Sequence, residues 1–130
     1  LTESGQQLSL IFGSDLMTKI LAILILSSGF NVAVETKDGF VERSFQNTRE
    51  GVSDFLTFAE PYVKSENLKF CAVSTIDDSG AVMQWVAESG LRVGFLTYPT
   101  YLEYTNDEKS DLNSAATVAN ACVARYVIIK

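Results

Sequence analysis

Histidine is absent from the 130 residues. That gap excludes an imidazole base, a Ser-His or Cys-His nucleophile pair, and any His-ligated zinc or haem. Acid-base work would fall to carboxylates, lysine, tyrosine or cysteine. Cysteine is scarce as well: Cys71 and Cys122 are too few for a zinc site of their own or for the disulfide lattice of a small secreted domain. Each lies in an apolar setting, Lys-Phe-Cys-Ala-Val and Ala-Cys-Val-Ala, which predicts reduced, buried thiols packed as small hydrophobes. Positive charge is short, with 10 Lys and Arg against 16 Asp and Glu. The net charge of −6 repels a phosphate backbone, so nucleic acid is not the expected partner of this domain by itself. No apolar run is long. Residues 20–26 cover about a third of the ~20 positions a membrane span needs, so no membrane association is expected. Residues 17–28 have the outline of a short signal peptide, but 16 residues precede them and nothing like a cleavage site follows, which points to a cytoplasmic protein. Gly-rich phosphate loops, Cys-x-x-Cys pairs and basic clusters are also missing.

What is present is enough apolar material, 47% of the chain, for one domain with one core of ordinary size. Residues 1–16 stand apart as an N-terminal extension, polar at first and then alternating, with Leu8, Leu10 and Phe12 spaced like a strand. Met17 followed by Thr-Lys has the look of a natural start, and the domain is set at residues 17–130. Residues 19–26 are apolar on both faces and suit a central strand covered on each side. Asp38-Gly39 between the runs 31–36 and 40–45 is a hairpin signal. Asn47-Thr48-Arg49-Glu50 offers a helix start, followed by Val52, Phe55, Leu56 and Ala59 at helical spacing, with Pro61 expected to end or bend the helix near Glu60. Residues 68–75 form a second buried strand. Asp77-Asp78-Ser79 would cap a helix carrying Val82, Trp85 and Val86 and closed by Gly90. A third parallel strand over 91–98 is expected to stop at Pro99. After a polar stretch at 105–109, residues 111–126 place Leu112, Ala115, Ala119, Cys122 or Val123, and Tyr126 on one helical stripe.

The resulting order, β-β-β-α-β-α-β-α, predicts an α/β domain: three antiparallel strands, then crossover units, giving a mixed five-stranded sheet with helices packed on it. This is the order of the RNase H-like fold. Five stretches carry a more particular likeness: Met17-Thr-Lys-Ile, Asn31-Val-Ala-Val, Phe45-Gln-Asn-Thr-Arg-Glu-Gly-Val, Val86-Ala-Glu-Ser-Gly-Leu-Arg-Val, and Lys109-Ser-Asp on through Ala124-Arg-Tyr. Over residues 17–126 the chain resembles the N-terminal domain of the DEDD-type insertion-sequence transposases, the family that includes the Piv-like DNA invertases. The resemblance implies a mobile-element origin and a site where three or four carboxylates hold Mg2+ for phosphodiester cleavage, hard oxygen ligands for a hard cation. Matched strand to strand, the first carboxylate position falls on Leu24 and the second on Val73. The family's paired aspartates correspond to Asp111 and Ser114, so Asp111 alone is retained. A shift of register restores nothing, because no Asp or Glu lies between Thr18 and Val34 or between Glu66 and Ile76. Asp77, Asp78 and Asp111 read more simply as helix caps.

These readings lead to a catalytically degenerate transposase-like domain, with no catalytic or metal-binding residues and no cofactor, acting as a protein-interaction or assembly module. Two binding segments are candidates. Gln7, Leu8, Leu10 and Phe12 resemble a sliding-clamp docking peptide, in which an amide sets register and apolar anchors fill a pocket; the simpler reading is an edge strand. Tyr98, Tyr101 and Tyr104 recur three apart amid Glu103, Asp107 and Glu108, a setting that favours a protein partner or plain core packing over bases. The alternatives are an active or complemented DNA-cleaving transposase or invertase domain, which would need Mg2+, and a replication adaptor acting through residues 7–12.

Overall fold

The computed structural model describes residues 19–65, 68–75 and 80–125. Gln7, Leu8, Leu10, Phe12, Met17, Asp77, Asp78 and Tyr126 lie outside the described residues. Five strands and four helices follow in order: β1 Lys19–Leu26, β2 Gly29–Thr36, β3 Gly39–Phe45, α1 Arg49–Ser65, β4 Leu68–Ser74, α2 Gly80–Glu88, β5 Val93–Phe95, α3 Tyr98–Glu108 and α4 Ala115–Ala124. They build one mixed sheet in the order β3-β2-β1-β4-β5, with β1 antiparallel to β2 and parallel to β4. The α/β architecture expected from the sequence is therefore the one observed.

The apolar run with the outline of a signal peptide is the central strand β1. Ile20, Ala22 and Leu24 enter one core with α3 and α4, whereas Leu21, Ile23 and Ile25 enter the other with α1 and α2. A strand buried on both faces has no place for a polar residue, which explains its uniform composition. The Asp38-Gly39 hairpin forms as its residues predict: Gly39 has φ +118°, and Thr36 Oγ1 donates to the Gly39 carbonyl at 2.8 Å. Thr48 caps α1, accepting from the Gly51 amide at 3.0 Å. Gly51 is required there, since a Cβ would collide with the Gln46 carbonyl.

Three expectations are corrected. Pro61 does not end α1, which continues to Ser65. Pro61 is exposed, so the carbonyl deprived of its helical donor is within reach of water while Val52, Phe55 and Ala59 hold the buried side. The strand expected over 91–98 is only Val93–Phe95, and Pro99 opens a helix instead of closing a strand. Its fixed φ suits a first turn; Thr97 provides the cap, and the polar stretch 105–109 becomes the end of α3, closed by Lys109 at φ +54°. Residues 111–114 form a turn ahead of α4, and of the two alternatives for the buried stripe Cys122 is buried while Val123 is 68% exposed.

Cys71 and Cys122, expected as reduced thiols, are joined in a disulfide between β4 and α4 with their Cα atoms 6.7 Å apart. Both are buried. Cys71 shares the sheet face of Leu24 and Val73, and α4 lays Cys122 over it. Apolar flanks predicted each residue's burial correctly but carried no information about a neighbour 51 positions away. No described helix is long and apolar enough to cross a membrane.

Candidate functional site

Two of the four positions matched to the resemblance meet in the sheet. Leu24 on β1 and Val73 on β4 are direct partners in the parallel ladder, and both are completely buried. The row continues through Asn31 on β2 to Ser44 on β3, whose hydroxyl donates to Asn31 Oδ1 at 2.7 Å. One line across the sheet therefore runs from a polar pair at one side into hydrocarbon at its centre. Leu24 and Val73 share one buried core with Tyr101 of α3 and with Val118, Ala121 and Cys122 of α4.

Tyr101 belongs to that core. Its side chain is fully buried, and its hydroxyl donates to the Leu112 carbonyl at 2.8 Å. Burial first, then the nearby Asp111 carboxylate, with smaller contributions from Tyr98 and Tyr104, holds this phenol well above its ordinary pKa. It remains a neutral donor that ties α3 to the turn before α4. Leu112 packs against the same core from above. Asp111 is exposed, and its Oδ1 accepts from the Asn113 amide at 2.9 Å, so it orders the turn and caps no helix. Ser114 holds the N-cap position of α4 without a side-chain capping bond.

The carboxyl end of β1 is tied off by polar groups. The Thr75 amide and hydroxyl both donate to the Ile25 carbonyl, at 2.9 and 3.0 Å, and Asn47 Nδ2 donates to the Leu26 carbonyl at 2.7 Å. Asn47 Oδ1 is buried with no partner among the described residues. Nor does any group of three or more His, Cys, Asp or Glu among the described residues come together as a metal site. These positions hold two buried hydrocarbon side chains, a neutral phenol that donates a hydrogen bond, and one outward carboxylate, a single hard oxygen ligand.

No protein-family model matches the chain, and no curated protein does. Solved structures do. RuvC of Thermus thermophilus in complex with a Holliday junction substrate superposes with a TM-score of 0.55 at 9% identity, covering 88% of this chain and 100% of that one. A second structure of Thermus thermophilus RuvC gives 0.55 at 12% identity, covering 86% and 99%. The fold is RNase H-like. At this identity the likeness shows the fold alone.

Within this RNase H-like frame the three tyrosines share helix α3 and one core. Tyr101 is fully buried and Tyr104 is 9% exposed, with Arg125 stacked over its ring, while Tyr98 is partly buried against the same cluster. Sequence spacing raised the tyrosines as a group but did not single out Tyr101, the one whose hydroxyl reaches the Leu112 carbonyl across 11 positions.

Proposed function

We propose that this chain is a non-catalytic RNase H-like domain, descended from a DEDD-type transposase-like nuclease, that serves as a protein-interaction or assembly module. The observation that supports it is the Leu24–Val73 pair, completely buried at adjacent ladder positions in the core that α3 and α4 share. A metal-dependent nuclease needs a wet, acidic recess in this part of the sheet. Apolar side chains at adjacent ladder positions exclude water and cations together. The −6 net charge favours a protein surface over a nucleic acid as partner.

The nuclease reading keeps one argument in its favour, the likeness of fold to RuvC, which has been seen with a Holliday junction substrate. The two separate in one experiment. The full chain is titrated calorimetrically with Mg2+ and with Mn2+, and in parallel incubated with branched and linear DNA in each metal. The module reading expects no binding heat up to about 10 mM, weaker than the sensor-class affinities of carboxylate sites, and intact DNA. Millimolar or tighter binding together with cleavage would refute it.

A further inference from the structure

The outer edge of β5 has no partner strand among the described residues. The Leu96 amide donates to the Ala72 carbonyl at 3.0 Å, so backbone alternation turns the Phe95 amide away from β4, toward the open side. The edge is apolar. Leu91, Val93 and Phe95, two apart, share the α1/α2 face; Leu91 and Val93 are partly buried, and Phe95 is 52% exposed. The opposite edge, β3, carries exposed Glu42 and Arg43, charges that discourage strand addition. Beside the start of β5, Leu91 joins Leu56, Ala59 and Val63 of α1 in a groove of about 440 Å³.

The described chain begins at Lys19, at this same end of the sheet: Lys19 pairs with Leu68 at the start of β4, and Val93 is level with Phe70. Eighteen residues precede it, among them Leu8, Leu10 and Phe12 at the same two-residue spacing as Leu91, Val93 and Phe95. We infer that residues 7–12 add to the outer edge of β5 in the same chain as a sixth, antiparallel strand, with Leu8, Leu10 and Phe12 laid along Phe95, Val93 and Leu91. Chain length permits it. From β1 past β4 and β5 to the new position is three strand spacings, about 14 Å, and the seven steps from Phe12 to Lys19 reach about 23 Å. Gly13-Ser14-Asp15 supply turn residues for the crossing. A parallel strand would also have to travel back along the length of β5, so the antiparallel sense is chosen. The inference stands apart from the question of catalysis, and it takes up the same side chains that docking on a sliding clamp would require.

Isotope-labelled full chain is compared by NMR with the double variant Leu8→Asp/Leu10→Asp. The native chain is expected to show cross-strand contacts between residues 8–12 and 91–95. In the variant those contacts disappear and the Phe95 amide exchanges at least tenfold faster, while amides of β1 and β2 keep their protection and report an intact fold. Equal Phe95 exchange in the two proteins, or no such contacts in the native chain, overturns the inference. A mixture of differently labelled chains completes the test: contacts between unlike labels would assign the strand to a second copy and overturn the same-chain form.

Discussion

Placing a carboxylate back at the centre of the sheet should be costly here, and the cost should depend on pH. In Leu24→Asp, a fully buried leucine is lost from a strand packed against α4. The lost apolar burial is worth about 2–3 kcal/mol. A buried carboxyl without a partner adds roughly 1–3 kcal/mol even when neutral. Its ladder neighbours are Asn31 and Val73, and Asn31 Oδ1 is already engaged by Ser44. No Lys or Arg among the described residues is buried in this core, so burial raises the pKa of the new carboxyl in the folded state above its unfolded value. The sign follows: the folded state is least penalised below the unfolded value near ~4, and it loses about 1.4 kcal/mol for each pH unit above that until the folded value is passed. Urea unfolding at pH 4 and pH 7 should show a variant destabilised by about 3–6 kcal/mol at the lower pH and by more at the higher. Addition of 10 mM Mg2+, about the weak end of carboxylate affinities, should recover none of it. A variant as stable at pH 7 as at pH 4, or one whose midpoint rises with Mg2+, would show that the region is a metal cleft after all and would defeat the reasoning.

Two further outcomes follow from the same core. The disulfide closes a loop across 51 positions, and chain-entropy arguments put its contribution at up to about 4 kcal/mol; unfolding in urea with and without dithiothreitol should show the midpoint fall on reduction, and an unchanged midpoint would mean that packing alone holds α4 to β4. The Tyr101 phenol, held above its ordinary pKa, contributes stability that is present below pH ~10 and is lost as pH rises beyond it. Tyr101→Phe should therefore cost about 1 kcal/mol at pH 7 through the bond to the Leu112 carbonyl, and should flatten the alkaline end of the stability profile; an unaltered profile would remove Tyr101 from that role.

Much of the architecture was legible because its signals are local. The apolar run of β1 suited a strand covered on both faces, Asp38-Gly39 marked the β2–β3 hairpin, and Asn47-Thr48-Arg49-Glu50 marked the start of α1. The errors fall where two local rules compete. Pro99 was read as a stop although the same fixed φ makes it a helix opener once Thr97 precedes it as a cap. Pro61 is a residue expected to end or bend α1, yet the helix runs through it with Pro61 on the exposed face, where water reaches the freed carbonyl. The candidate site was legible in part: matching placed Leu24 and Val73 on separate strands, and the ladder sets them side by side.

By itself the sequence determined the order of the strands, the burial of β1, the absence of imidazole chemistry and the lack of carboxylates where the RNase H-like resemblance calls for them. Only the tertiary structure decided that Cys71 and Cys122 meet, that Tyr101 joins the core of Leu24 and Val73, and that β5 is cut to three residues with an apolar outer edge no other described strand covers. The division has a physical cause. Periodicity and turn chemistry act over a few residues, and a single chain displays them directly. Partnership across a sheet or between layers depends on which helix lands on which face, and that is fixed by the packing of the whole core.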